Sequence, residues 1–324
     1  MITPLKVQLL ENTELKNETY VTEFILLGFG DHKVLQIPLF LLFLLIYIVT
    51  MSGNILIMLL VLTDQHLHIP MYFFLGNLSF LEASCSSNIL PRMLFGFLAG
   101  SNAISINACF VQHYFFGTLG AVECYLLSAM SYDRYLAICM PLHYVTMMSG
   151  KLCLKLIVCS WISGFLASTT TLIIISNLVF CDGNNIDHFF CDTFPIIELF
   201  CGDAHALKLF LYVLCSIFTF PPSILTITSY FLIILAIMKI PSSIGKQKAF
   251  STCSSHLLVV TIFYGTLTSV YVVPNTNKLN GLHKVFSIFY TILTPMVNPI
   301  IYSLRNTEVK KSLRRLTSYL IIQK

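Results

Sequence analysis

The chain has 324 residues, of which 56% are hydrophobic and only 10% charged, with a formal net charge of +4 and a mean hydropathy of +0.81. Soluble domains carry about 25% charged residues; a chain this poor in them cannot cover a water-facing surface, which excludes a soluble globular protein. Its apolar residues fall in continuous blocks near the ~20 residues a helix needs to cross ~30 Å of hydrocarbon, not in the ~10-residue alternating segments of a β-barrel. The expected fold class is an all-α membrane protein.

A polar stretch with Glu11, Glu14, Lys16, Glu18 and Glu23 opens the chain. It lacks the basic start and short apolar core of a cleavable signal peptide, so the first apolar block is expected to act as an uncleaved signal-anchor. Seven spans follow, at about 34–62, 70–97, 107–138, 151–176, 205–238, 246–273 and 283–304. Turn formers and charges separate them, as at Thr63-Asp64-Gln65-His66, Gly100-Ser101-Asn102, Ser149-Gly150-Lys151 and Ile240-Pro241-Ser242-Ser243. Beyond the last span, Leu313 and Leu316 fall on one side of a short stretch and Lys310, Lys311, Arg314 and Arg315 on the other. That is the pattern of an amphipathic helix lying on a membrane surface. The expected organisation is an outer tail over 1–33, a seven-helix body over 34–304 with a long outer loop over 177–204, and an inner tail over 305–324.

An odd number of spans puts the two ends on opposite sides. Twelve of the nineteen Lys and Arg residues, among them Arg134, Lys239, Lys246, Lys248 and Arg305, fall on the side of the C-terminus. The basic side is cytoplasmic, so the N-terminus is expected outside. Asn17-Glu18-Thr19 is then a glycosylation sequon in the outer tail, whereas Asn77-Leu78-Ser79 lies inside a span and is discounted. Cys109, Cys181, Cys191 and Cys201 also fall outside. Four cysteines in an oxidising compartment suggest two disulfides, and three pairings are open.

Several polar groups stand where apolar residues would be expected. Asp133 and Arg134, followed by Tyr135, end span three; Asn54 follows Gly53 in span one; Asn298 lies between Pro295 and Pro299 in span seven. Prolines four apart kink a helix, and Asn298 is placed to satisfy the carbonyls that Pro299 leaves without donors. Glu82 and Glu123 are the acids of the hydrophobic interior. Two carboxyls there are costly unless they share a proton, hold a cation such as Na⁺ or bind polar neighbours such as Asn54 and Asn298.

The strings Leu67-His68-Ile69-Pro70-Met71-Tyr72-Phe73-Phe74-Leu75, Met130 to Cys139, Ser229-Tyr230, Lys248 to Leu257 and Pro295 to Asn306 occur in that order across spans two to seven. On these the chain resembles the odorant receptors among rhodopsin-like G-protein-coupled receptors, and Phe263-Tyr264-Gly265-Thr266 resembles their tetrapod-type class. Ile69, Ser131 and Glu82 depart from the usual Thr, Ala and Asp. The resemblance implies pairs Cys109–Cys191 and Cys181–Cys201, and a receptor that raises cyclic AMP through a heterotrimeric stimulatory olfactory-type G protein at the plasma membrane. Trafficking helper proteins are possible further partners. The implied switch comprises Asp133, Arg134, Tyr135, Tyr230, Asn298, Pro299 and Tyr302, with Lys246 and Lys248 at the cytoplasmic mouth.

The odorant cavity is expected between the outer halves of spans three, five, six and seven, where bundles hold ligands. Its candidate residues are His113, Phe116, Gly117, Gly120 and Ala121 on span three, with Cys215, Phe218, Tyr264, Thr268 and Tyr271 on spans five and six. No Lys or Arg occurs between Tyr264 and Pro274, so the expected ligand is small, neutral and largely apolar. Other readings are a transporter or channel, against which stands the lack of an internal repeat, and an odorant-type receptor sensing a metabolite outside the olfactory epithelium. An enzyme is not expected: His66, His68 and His143 lie in loops without metal-like spacing.

Overall fold

The computed structural model describes residues 22–29, 34–180, 183–271 and 280–322. Among the described residues are seven long helices: α1 (Gln36–Thr63), α2 (Pro70–Ala99), α3 (Ile106–Cys139), α4 (Gly150–Ser176), α5 (Ala204–Met238), α6 (Ser243–Tyr271) and α7, which starts at Asn280 and ends at Arg305. An eighth, α8 (Thr307–Ile322), follows. Their starts are written locally. Ser105 accepts a hydrogen bond from Ala108 N and Ser149 one from Leu152 N, while Asp203 caps both His205 and Ala206. The Ser242 hydroxyl accepts from Gly245 N and opens α6 at Ser243, three residues before the expected start. Gly100, at φ +61°, ends α2 in the left-handed conformation that glycine adopts without strain.

Five helices, α1, α4 and α5 and most of α6 and α7, are long and apolar enough to cross a membrane. Each long helix buries some polar groups, but among the described residues the buried carboxyls of the bundle lie on α2 and α3: Glu82 on α2, and Glu123 and Asp133 on α3, where Gln112, His113, Thr118, Ser128 and Ser131 are buried too. The physical reason is position. α3 packs against α2, α4 and α5 and also touches α6, while α1 and α7 close the ring. Polar side chains on α3 therefore meet protein rather than lipid. The outward faces are apolar, as at Leu41, Leu45, Ile48, Ile55 and Leu62 on α1, a surface that water would not tolerate.

The α3–α4 contact depends on a missing side chain. A Cβ at Gly164 would lie 2.5 Å from Val122 Cγ2 and 2.7 Å from the Thr118 carbonyl, and small residues let membrane helices approach this closely. Gly164→Ala is expected to destabilise the bundle by about 1–3 kcal/mol, read as a lower melting temperature of the purified protein.

α7 is not uniform. It runs as Asn280–Ile288, a π-helical turn Phe289–Leu293 and Thr294–Arg305. The turn precedes Pro295, whose missing N–H removes a regular helical hydrogen bond; the Thr294 hydroxyl donates to the Phe289 carbonyl at 2.9 Å.

At the disulfide end of the bundle lies a small sheet. β1 (Glu23–Leu26) lies between β2 (Ala103–Ser105), antiparallel to it, and β3 (Asn185–Ile186), parallel to it. Phe24 and Leu26 point inward and are buried. The sequence reading left this segment in a tail, because four residues make no strand until two distant loops pair with them.

Candidate functional site

A cavity of about 110 Å³ lies among the helices beside Asp192 and Thr193 of the loop between α4 and α5. Its wall contains His113, Phe116, Gly117, Gly120 and Ala121 of α3, Cys215 and Phe218 of α5 and Tyr271 of α6. These are eight of the ten residues expected from sequence. The other two, Tyr264 and Thr268, do not line it. The α6 stripe that does is Phe263, Leu267 and Tyr271, at i, i+4 spacing; a one-residue offset turns a side chain by about 100°. Tyr264 instead donates its hydroxyl to the Cys124 carbonyl at 2.6 Å and ties α6 to α3 beside the cavity. The reading also missed Asp192, Ser168 and Tyr290. Asp192 was legible, since it follows the cysteine that the resemblance pairs with the top of α3.

The roof is tightly held. Cys109 and Cys191 form a disulfide. Gln112 accepts from Cys191 N at 3.0 Å and donates to the Asn88 carbonyl at 2.9 Å, and Asn88 returns a bond to the Gln112 carbonyl. Asp192 Oδ1 accepts from the Tyr271 hydroxyl and from Thr193 N, each at 2.7 Å. The Tyr290 hydroxyl lies 2.8 Å from that of Tyr271. Burial pushes the Asp192 carboxyl up to about 6, with these two donors opposing the shift. Lys284 of α7 binds Asp187 at 2.6 Å and the Gly28 carbonyl at 3.0 Å, joining the lid to the bundle. Cys201 is also disulfide-bonded; its expected partner Cys181 lies outside the described residues, as does Asn17.

Midway down the bundle Asn298 donates to Glu82 Oε1; it is thus the polar neighbour expected for a buried carboxyl, and not the donor expected for the carbonyl that Pro299 leaves free. Pro299 deprives the Pro295 carbonyl of its regular donor, and the group that replaces it is Asn54 Nδ2 of α1, at 3.0 Å. The ring of Pro299 sits against Gly53, where a Cβ would lie 3.0 Å from two of its carbons. Glu123 faces Glu82 from α3. Glu123 Oε1, Ser86 Oγ and Asn54 Oδ1 are buried without partners.

At the opposite end, Asp133 is fully buried. It accepts from Arg134 Nη2 at 3.2 Å and from Tyr144 at 2.8 Å; Tyr144 opens a short helix, Tyr144–Met147, after α3. Tyr135 is half-buried and stacks on Tyr132. The Tyr230 hydroxyl is hydrogen-bonded to His256 Nδ1, so among the described residues this span-six group is engaged by α5 rather than by Arg134. Tyr302 is buried with an unpartnered hydroxyl. Lys246 is half-buried on α6, and the Lys248 side chain lies outside the described residues. α8 is anchored twice. Asn306 Oδ1 accepts from Tyr72 and from Glu308 N and Val309 N, and Arg315 grips Asp64 through Nε and Nη2 at 3.0 and 2.6 Å. The Ser312 hydroxyl and the Arg315 guanidinium hold the Asp64 carboxyl well below the usual carboxylate range.

Comparison with known proteins decides the family. The olfactory receptor family model matches residues 43–319. The chain belongs to the olfactory receptor family. Human olfactory receptor 8H3 is 49% identical over 93% of this chain and 96% of its own length, and human olfactory receptor 6B1 is 48% identical over 94% and 97%. The structure matches that of squid rhodopsin with a TM-score of 0.65 at 16% identity, covering 90% of this chain and 87% of that one. The receptor is thus a multi-pass, seven-helix G-protein-coupled receptor and not an enzyme, with a small-molecule ligand and a G protein as its partners.

Proposed function

We propose that this olfactory receptor binds a small, neutral, largely apolar odorant in the cavity under the lid and activates a stimulatory olfactory-type G protein, raising cyclic AMP. The observation that carries the reading is the cavity itself. Its wall is mostly apolar and aromatic and includes no Lys or Arg, so shape and one or two hydrogen bonds supply the affinity. The basic excess at the Arg134 end supports a cytoplasmic position for that end. The lid and residues 1–33 then face outward, where Asn17 can be glycosylated, and residues 305–324 lie on the cytoplasmic side of the plasma membrane.

Agonist can shift the bundle only through a difference in affinity between two arrangements. Tyr271 and Tyr264 couple the cavity region to α6, and movement of α6 would separate His256 from Tyr230 and free the surface around Arg134 for the G protein. A cyclic AMP reporter screen against a chemically diverse volatile panel tests the proposal. Neutral apolar agonists are expected; short carboxylates as the sole agonists would overturn the ligand class.

The unpartnered oxygens around Glu82 and Glu123 suit Na⁺, which takes oxygen ligands. Glu82, Glu123 and Ser86 would hold it, and the ion would supply the positive charge that two buried carboxyls lack. Glu82→Gln and Glu123→Gln are expected to remove any sodium dependence of signalling. Signalling that responds to sodium as the wild type does, in both variants, counts against the site.

A further inference from the structure

A second cavity, of about 260 Å³, is larger than the odorant cavity and shares no wall residue with it. Its size approaches the ~300–1,000 Å³ of small-molecule sites. The disulfide-side ends of α1 and α2, the segment after β1, the turn joining α2 to β2 and Phe189 enclose it. Much of the wall is aromatic and packed in place. Phe29 stacks on Phe189 and on Phe43, which stacks on Phe97 in turn, with ring centroids 5.4, 5.6 and 6.0 Å apart. Gln36 donates to the Phe97 carbonyl and fixes α1 to α2 at the same wall. One charged side chain stands there. Arg92 is half-buried, the wall includes no Asp or Glu, and none of the ion pairs among the described residues involves Arg92. Its Nη2 donates to the Ala103 carbonyl of β2, and its guanidinium carbon lies 5.5 Å from the centre of the Phe95 ring. Ala103 takes one of the five N–H donors of the guanidinium; the others have no hydrogen-bond partner among the described residues. An arginine that only snorkels keeps its head in water, whereas this head lies on the wall of an apolar cavity, where a cation without a counter-charge is costly.

We propose that this cavity is a second binding site, for an amphiphile whose oxyanion head pairs with Arg92 and whose hydrocarbon tail lies against Phe29, Phe97 and Phe189. A carboxylate or a phosphate supplies such a head, and the planar guanidinium takes two of its oxygens at once. An alcohol of the same chain brings a single neutral oxygen. It forgoes the charge-assisted bond, which weakens binding at least about tenfold. An ammonium head meets a like charge. Two sources offer the required chemistry, a free fatty carboxylate and the phosphate of a membrane lipid. The site is independent of the agonist class proposed above, because the odorant cavity has no Lys or Arg on its wall and the two cavities are separate.

The test is equilibrium dialysis of radiolabelled octanoate against purified full-length receptor in maltoside micelles, with empty micelles subtracting simple partitioning. Saturable binding is expected, displaced by octyl phosphate but not by octanol or octyltrimethylammonium at about tenfold higher concentration. Arg92→Gln keeps an amide N–H for the Ala103 carbonyl but no charge, and should weaken octanoate at least about tenfold; Arg92→Lys should weaken it less. Leu39→Trp, which fills the cavity and leaves Arg92 in place, should remove binding, and it carries the test if Arg92→Gln does not fold. Gly120→Leu fills the odorant cavity instead, at a position where a Cβ meets nothing within 4 Å, and should leave octanoate binding unchanged. Repetition in phosphatidylcholine nanodiscs separates the two sources. Binding retained there marks a free carboxylate as the occupant; binding seen in micelles and lost in nanodiscs marks a lipid phosphate that has displaced it. No saturable binding in micelles, octanol that competes as well as octanoate, or binding unchanged in folded Arg92→Gln or Leu39→Trp overturns the proposal. Binding lost in Gly120→Leu and kept in Leu39→Trp also overturns it, by moving octanoate to the odorant cavity.

Discussion

Cys191→Ser is expected to reduce both surface expression and agonist response to background. The Cys109–Cys191 bond joins positions 82 residues apart, and closing a loop of that size in the unfolded chain corresponds to about 4–5 kcal/mol. Net stabilities of folded domains are about 5–15 kcal/mol, so the loss is a large fraction of the whole. The site would suffer separately. Cys191 carries the backbone N–H that Gln112 accepts, and Asp192, its neighbour, holds Tyr271 of α6. Freeing the loop lets the roof leave α3 and α6 together. Cys109→Ser and the double variant should match Cys191→Ser, because all three remove one bond; surface labelling and reporter assays of the three measure this. Wild-type response in any of them would show that the hydrogen bonds alone secure the lid.

Arg134→Ala is expected to abolish agonist-driven signalling while receptor remains detectable at the surface. The guanidinium is 15% exposed, with one hydrogen bond to Asp133 and an Nε that is buried and unpartnered. A charge so placed is available for a new partner. Asp133 retains its bond from Tyr144 at 2.8 Å. It would lose its cation, however, and a buried charge left alone is costly, so a reduced surface level accompanies the loss. Arg134→Lys keeps the positive charge but not the planar fork. It should express close to wild type yet signal weakly, and the signal per surface receptor separates coupling from folding. Full signalling in Arg134→Ala would refute the switch.

How much was legible follows from what each feature depends on. The spans were readable because crossing a bilayer requires length and apolarity, which are properties of a continuous stretch. The α6 start was misjudged by three residues because its cap, Ser242, lies in a segment whose Pro and Ser content reads as a loop. The cavity wall on α3 was readable from the small and aromatic residues at helical spacing below Cys109. On α6 the same reasoning chose Tyr264 and Thr268 where the packed face is Phe263 and Leu267, since an α6 apolar on all sides does not announce its rotation. Asn298 was assigned the carbonyl that Pro299 abandons because it is the adjacent residue. The structure gives that carbonyl to Asn54, some 241 positions away, and turns Asn298 to Glu82.

By itself the sequence determined the seven spans, the position of Asp133 and Arg134 at the end of span three and the family, all of which rest on local composition and ordered motifs. Only the tertiary structure decided the rest: the strand at Glu23–Leu26, which face of α6 meets the cavity, and the hydrogen bonds that join Asp192, Tyr271 and Tyr290. Each of these depends on the rotation of one element against another. A rotation of about 100° per residue exchanges a lipid-facing group for a cavity-facing one while leaving the hydrophobic content of the span unchanged.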